Sequence, residues 1–368
     1  MSTDWNSLVN KNLLGISPYV PGKPISEVQR ELGLTEVHKL ASNENLMGPS
    51  PKAVEAMKKA AGDVNYYPDG GCYYLTQAIA AKLGVAPEQV VIGNGTDELI
   101  RLVCNIMLNS GVEVIFGHPS FVMYTISSTV MDAKIKMVPL RDTYTIDLRG
   151  ILDAITEKTR LIFIANPNNP TGTIVKKKET DEFVKALPPG VLAVFDEAYF
   201  EYAQDPDYPN AVDYLRDGAP VCSMRTFSKV YGLAGLRVGY GAFPKEIAAV
   251  MHRVRNPFNV NQLAQDAALA AIDDDAHVAA AQKFNADGKK YLCENFDRLG
   301  LPYAPSEANF VLVDVKSESQ AVFDALLKKG VIVRPGKFLG FPSHLRVSVS
   351  TPEGNEAFIR ALEEVLAK

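Results

Sequence analysis

Four short segments carry side chains that could share one chemistry. Arg225-Thr-Phe-Ser-Lys229 ends in a lysine set among threonine, serine and apolar residues, and Leu233-Ala-Gly-Leu-Arg237 follows it closely. Lysines are ordinarily solvated. This one comes just after an apolar run at 221–224, and in open α/β sheets ligands bind beyond such strand ends. A cation such as Arg237 beside Lys229 would lower the amine's pKa and keep it nucleophilic. In the second segment, Val191-Leu-Ala-Val-Phe-Asp196-Glu197-Ala198-Tyr199, carboxylates close a buried run. Asp196 could simply cap a helix. In a dry site it could instead pair with a protonated heteroaromatic nitrogen.

The third segment, Ile164 through Gly172, is a turn-forming Asn/Pro/Gly cluster after another apolar run and could be no more than a turn. The fourth, Gly93-Asn-Gly-Thr96-Asp97-Glu98, leads from a strand into a helix, where free backbone N–H groups and the helix dipole favour a phosphate. It is not a dinucleotide fingerprint, because the third glycine of GxGxxG would fall at Glu98. No GK[ST] loop for a nucleoside triphosphate occurs either.

The elements that must position these segments follow from periodicity. Short β-branched runs at 90–92, 112–116, 136–140, 161–165, 191–196, 221–224 and 237–242 alternate with amphipathic stretches such as 96–108 and 179–187. That pattern predicts a mainly parallel, seven-stranded sheet covered by helices. Beyond Asn256-Pro257 the character changes to helices at 262–272 and 276–299. Strands at 310–315, 331–333 and 345–350 then alternate with helices at 319–329 and 353–367, as in a smaller α+β domain. The expected organisation is an N-terminal arm (1–40) packed on the small domain or a partner subunit, a large domain (41–258) and a small C-terminal domain (259–368).

Composition narrows the partners. With 47% hydrophobic residues the chain can bury a sizeable core, and its net charge of -5 offers no basic footprint for nucleic acid or an anionic membrane. The four cysteines form no CxxC pair and read as reduced core thiols. Five histidines lie apart from one another, so no metal is expected. The first twenty residues lack the basic and then apolar stretches of a signal peptide, and no apolar run of about 18 residues occurs, so the expected location is the cytoplasm.

Taken together, Asn-Asn-Pro-Thr-Gly at 168–172, Asp-Glu-Ala-Tyr at 196–199, Ser-Lys at 228–229 and Gly-Leu-Ala-Gly-Leu-Arg at 232–237 resemble the fold-type-I pyridoxal-phosphate aminotransferases. The chain is most similar to the histidinol-phosphate aminotransferase family. Leu40-Ala-Ser-Asn-Glu-Asn45, Tyr66-Tyr67-Pro68-Asp69 and Ala308-Asn309-Phe-Val-Leu-Val extend the resemblance over nearly the whole chain.

The resemblance implies that Lys229 holds the aldehyde of pyridoxal 5′-phosphate and that Asp196 pairs with its ring nitrogen. It gives the ring 3′-oxygen to Asn169 and Tyr199, with Tyr199 also catalytic. The phosphate falls to Thr226, Ser228, Arg237 and the backbone at Thr96 and Asp97. Phe121 matches a ring-stacking position often held by tyrosine, so stacking is kept and a hydroxyl is lost. Tyr67 matches a residue lent to the neighbouring site in a homodimer. Arg346 matches the anion-binding arginine, whose planar fork suits carboxylate or phosphate. Arg334 is expected as a second clamp, with Tyr19 and Asn43 as donors to substrate.

The implied reaction moves an amino group between L-histidinol phosphate and 2-oxoglutarate, in histidine biosynthesis. An aromatic-amino-acid aminotransferase, or a decarboxylase of the threonine-phosphate type, would use much of the same constellation.

Overall fold

The computed structural model describes residues 3–18 and 22–367. Its main sheet has seven strands in the spatial order Val90–Gly93, Gly239–Ala242, Val221–Thr226, Leu192–Asp196, Thr159–Ala165, Glu113–His118 and Lys134–Pro139. Gly239–Ala242 runs antiparallel to both its neighbours, and every other pairing is parallel.

The near-continuous apolar strands fit burial on both faces. Alternate residues serve two cores. Val114, Phe116, Leu161, Phe163, Leu192 and Val194 pack to one side, with Leu99 and Val103 of the helix Thr96–Met107. Ile115, Ile162, Ile164, Ala193 and Phe195 pack to the other, with Phe183 of the helix Lys177–Lys185. This alternation sends the consecutive acids Asp196 and Glu197 in different directions.

The strand expected at 237–242 begins instead at Gly239, because Arg237 adopts a left-handed conformation (φ 57) where the chain turns into the sheet. A second difference lies in the small sheet, whose order is Arg334–Pro335, His344–Ser348, Phe310–Asp314, all antiparallel. The expected single strand at 331–333 is split. Val331–Ile332 pairs in parallel with His38–Lys39, and Arg334–Pro335 turns away to form the edge of the three-stranded sheet. Pro335 has no N–H to extend a ladder, which suits that edge.

Helices Asp275–Arg298, Ser319–Lys328 and Pro352–Leu366 cover this sheet through Leu292, Phe296, Val322 and Phe358. The helix Ile25–Leu32 seats Val28 against Ile332, whereas Asn12 bonds the carbonyl of Thr129 on the helix Val122–Val130. Among the described residues no helix is long and apolar enough to cross a membrane, and no group of three or more potential ligands could hold a metal ion.

Candidate active site

The strand ends Ala165, Asp196 and Thr226 converge on one cavity of about 180 Å³, which residues 41–43, Arg334 and Arg346 also line. Thirteen of the fifteen expected site residues line it. The two others are Tyr67 and Tyr19, and Tyr19 falls outside the described residues.

Lys229 reaches the cavity from the turn after Val221–Thr226, with Nζ 3.5 Å from the carbonyl of Ser42 and 5.6 Å from the centre of the Tyr199 ring. Removal from water is the main influence that lowers its pKa, to about 8. The Arg346 guanidinium acts next in the same direction. Arg237, the cation expected from the sequence, is a smaller influence than Arg346. The result is an amine that is partly neutral near physiological pH and so available as a nucleophile or base.

Asp196 lines the same cavity and is 5% exposed. Its Oδ1 accepts the backbone N–H of Ala198 at 3.2 Å and its Oδ2 accepts the hydroxyl of Tyr124 at 2.8 Å. Burial pushes its carboxyl up to about 6, against the pull of those two donors. A carboxylate in such a place is completed by a protonated partner.

Tyr199 presents its hydroxyl to two amides, Asn43 Nδ2 at 2.9 Å and Asn169 Nδ2 at 3.5 Å. Asn43, expected as a donor to substrate, has both ends of its amide engaged: Nδ2 on Tyr199 and Oδ1 accepting from Ser348 Oγ at 2.8 Å. Its backbone sits in the left-handed region (φ 55), which asparagine tolerates better than most residues. Asn169 also accepts Arg346 Nη1 at 2.7 Å, and Arg346 Nη2 donates to the carbonyl of Ala41 at 2.7 Å.

The expected phosphate cup is a close approach of backbones. The helix Thr96–Met107 starts after Gly95 (φ +75), and a Cβ on Gly239 would stand 2.8 Å from Thr96 N. Glycine at 239 leaves that N–H open. Thr226 Oγ1 accepts the Ser228 N–H at 3.0 Å, while Arg237 Nη2 lies 3.4 Å from Asp97 Oδ2. Arg237 lines the cavity beside the helix start, so its remaining N–H donors and the backbone N–H groups there face the same space. Phe121 supplies an aromatic wall and meets Tyr124 edge-on at 5.7 Å.

Tyr67 does not enter the cavity. It is 81% exposed and stacks on Phe258 at 4.7 Å.

Sequence reasoning missed Tyr124 and Ser348, and it missed the buried ion pair between Glu197 Oε2 and Arg225 Nη2, 3.0 Å apart. Tyr124 carried one usable signal, its place three residues after Phe121 on the same helix start, which puts both on one face. For Ser348 the sequence holds none, since its partner lies 305 residues away.

The sequence profile of "Aminotransferase class I and II" matches residues 35–362. The histidinol-phosphate aminotransferase of Moorella thermoacetica is 53% identical over 356 residues, covering 96% of this chain and 92% of that one. The "Histidinol-phosphate aminotransferase 2" of Carboxydothermus hydrogenoformans is 47% identical over 360 residues, covering 98% and 99%. Among solved structures, histidinol-phosphate aminotransferase from Sinorhizobium meliloti in complex with pyridoxal-5′-phosphate superposes with a TM-score of 0.89 at 29% identity, covering 96% of each chain.

Proposed function

The chain belongs to the class I and II aminotransferases, and on that footing we propose that it moves the amino group of L-histidinol phosphate to 2-oxoglutarate, with pyridoxal 5′-phosphate as carrier. The products are imidazole acetol phosphate and glutamate, a step of histidine biosynthesis. The observation that carries the substrate reading is the pairing of Arg334 with Arg346 across two antiparallel strands at the same cavity. One donor is a phosphate ester without an α-carboxylate and the other a dicarboxylate, so a site with two forked cations suits both.

The residues present fit the cofactor on three counts. Asp196 is a desolvated, acceptor-only group that gains from a cationic ring nitrogen. Gly239 leaves the start of the helix Thr96–Met107 open for a phosphate. Lys229 offers an amine of depressed pKa in the same cavity. Asn169 and Tyr199 would hold the ring 3′-oxygen, and Phe121 would cover the ring.

When bound, pyridoxal phosphate supplies an aldehyde for the donor's amine and a protonated ring that draws electron density from the donor Cα. Asp196, held ionised, would keep the proton on the ring nitrogen. Arg346 and Arg334 orient the anionic end of the substrate, which places its Cα–H against Lys229. Lys229 Nζ would take that proton and give it back, as a base of near-neutral pKa can act in both directions. Residues 41–43 line the same cavity, and water reaching it would release the carbonyl product.

The assembly in this reading is a cytoplasmic homodimer in which Tyr67 serves the neighbouring site. Its support is the exposure of Tyr66, Tyr67, Tyr73 and Tyr74 within one short segment, with Phe258 stacked on Tyr67.

The test is glutamate formation from 2-oxoglutarate with histidinol phosphate, phenylalanine or threonine phosphate as partner. Histidinol phosphate should give the largest kcat/KM. A larger value with phenylalanine would reassign the enzyme to aromatic amino acids, and consumption of threonine phosphate without glutamate would reassign it to decarboxylation.

A further inference from the structure

Tyr124 is a fully buried side chain on the helix Val122–Val130, with its ring stacked on Phe163 at 4.6 Å and an interplanar angle of 4°. Phe116 lies at 5.8 Å and Phe121 at 5.7 Å. A phenylalanine would satisfy all of these ring contacts. The hydroxyl is what needs an explanation, because a buried polar atom must find a partner. Its partner is Asp196 Oδ2 at 2.8 Å. An ionised carboxylate only accepts, so the tyrosine donates, and such a charge-assisted bond is among the stronger ones.

We propose that Tyr124 is a positioning residue for amino transfer: its hydroxyl keeps Asp196 ionised and leaves the remaining lone pairs of that carboxylate to face the cofactor ring nitrogen. The proposal rests on the reading of Asp196 as the partner of that nitrogen. The groups around Asp196 act in two directions. Burial and the charges of Asp97 and Glu197 favour the neutral acid, while the Tyr124 hydroxyl is the strongest influence for the anion and the Ala198 N–H the next. Without the hydroxyl, Asp196 becomes the more basic of the two groups that share the ring proton. One proton then passes from the ring nitrogen to the carboxyl, and the ring loses its charge and its pull on electrons. Nothing else changes in the balance.

The test uses the loaded enzyme carrying pyridoxal phosphate labelled with 15N at the ring. In the parent the ring nitrogen keeps the chemical shift of a protonated pyridinium between about pH 6 and 9, because the flanking carboxylate stays ionised. In Tyr124→Phe the shift moves toward the unprotonated value as pH rises within that window. With histidinol phosphate, kcat falls about tenfold, the size of one lost charge-assisted bond, while KM changes less than about twofold. Replacing Tyr124 with 3-fluorotyrosine, a stronger donor of the same shape, leaves the ring protonated to higher pH than in the parent. It also gives a readout if the phenylalanine variant folds poorly. A Tyr124→Phe shift that follows the parent's at every pH overturns the role of Tyr124 and leaves Asp196 untouched. A parent whose ring nitrogen is unprotonated at neutral pH overturns both.

Discussion

Arg334 and Arg346 stand directly opposite each other on antiparallel strands and line one cavity with Lys229. Two guanidinium groups at one cavity offer forked donors to an anionic ligand. Arg346 is anchored by Asn169 and Ala41. Arg334, on the two-residue edge strand Arg334–Pro335, is held by less of the sheet. Arg334→Ala should therefore raise KM for histidinol phosphate about tenfold and that for 2-oxoglutarate less, as a second clamp matters most to a doubly charged phosphate. Steady-state kinetics on both substrates decide. An unchanged KM for histidinol phosphate would show that Arg334 is no clamp.

Lys229 costs the cofactor-free protein stability. Its pKa falls from 10.5 unfolded to about 8 folded, so below pH 8 the folded state must hold a charge in a poorly solvated place. The unfolded chain binds more protons between those values, and stability rises with pH across that window. Lys229→Met should thus stabilise the cofactor-free protein by about 2 kcal/mol at pH 7, a value discounted because the amine faces an open cavity. The gain should shrink as pH climbs from 8 towards 10.5. Denaturant unfolding at several pH values measures it.

Asp196 has the opposite sign. Its carboxyl rises from 3.8 to about 6 on folding, so its penalty is absent below pH 3.8 and complete above 6. Asp196→Asn should stabilise the cofactor-free protein above pH 6 and leave it unchanged in acid. The same variant should bind pyridoxal phosphate more weakly, which equilibrium dialysis would reveal. Equal binding would remove Asp196 from the cofactor.

At Gly239 the constraint is backbone against backbone, since an added Cβ would meet Thr96 N at 2.8 Å and the Arg225 carbonyl at 3.1 Å. Gly239→Ala should destabilise the fold by about 1–3 kcal/mol, as overpacking does. It should weaken cofactor binding further, because the methyl group stands over the N–H offered to the phosphate. A variant that melts earlier yet binds pyridoxal phosphate as the parent does would separate Gly239 from the phosphate cup.

What could be read in the sequence was local. Lys229, Asp196 and the turn at Asn169 each follow a strand within a few residues, so strand periodicity alone places them at one edge of the sheet. What could not be read depended on long-range packing or on a competing pattern. Tyr124 sits in an apolar helical stretch and looks like core filler, and only the approach of the strand Leu192–Asp196 makes its hydroxyl a partner of Asp196. Nor does the sequence show that the Asn43 amide meets Tyr199 and Ser348, which lie far along the chain. Glu197 looks like a companion of Asp196, but strand alternation turns it to Arg225 on the other side. The short strand Arg334–Pro335, which sets Arg334 opposite Arg346, lies just beyond the apolar run 331–333 and has no periodicity of its own to reveal it.

The most direct measurement is the rate of glutamate formation from histidinol phosphate and 2-oxoglutarate by Lys229→Ala beside the parent, both supplied with pyridoxal phosphate. If Lys229 Nζ moves the proton, the variant should lose at least about a thousandfold in rate, within the range expected for a lost general acid–base group. A Lys229→Ala enzyme that forms glutamate at the parent rate would contradict the account at its centre.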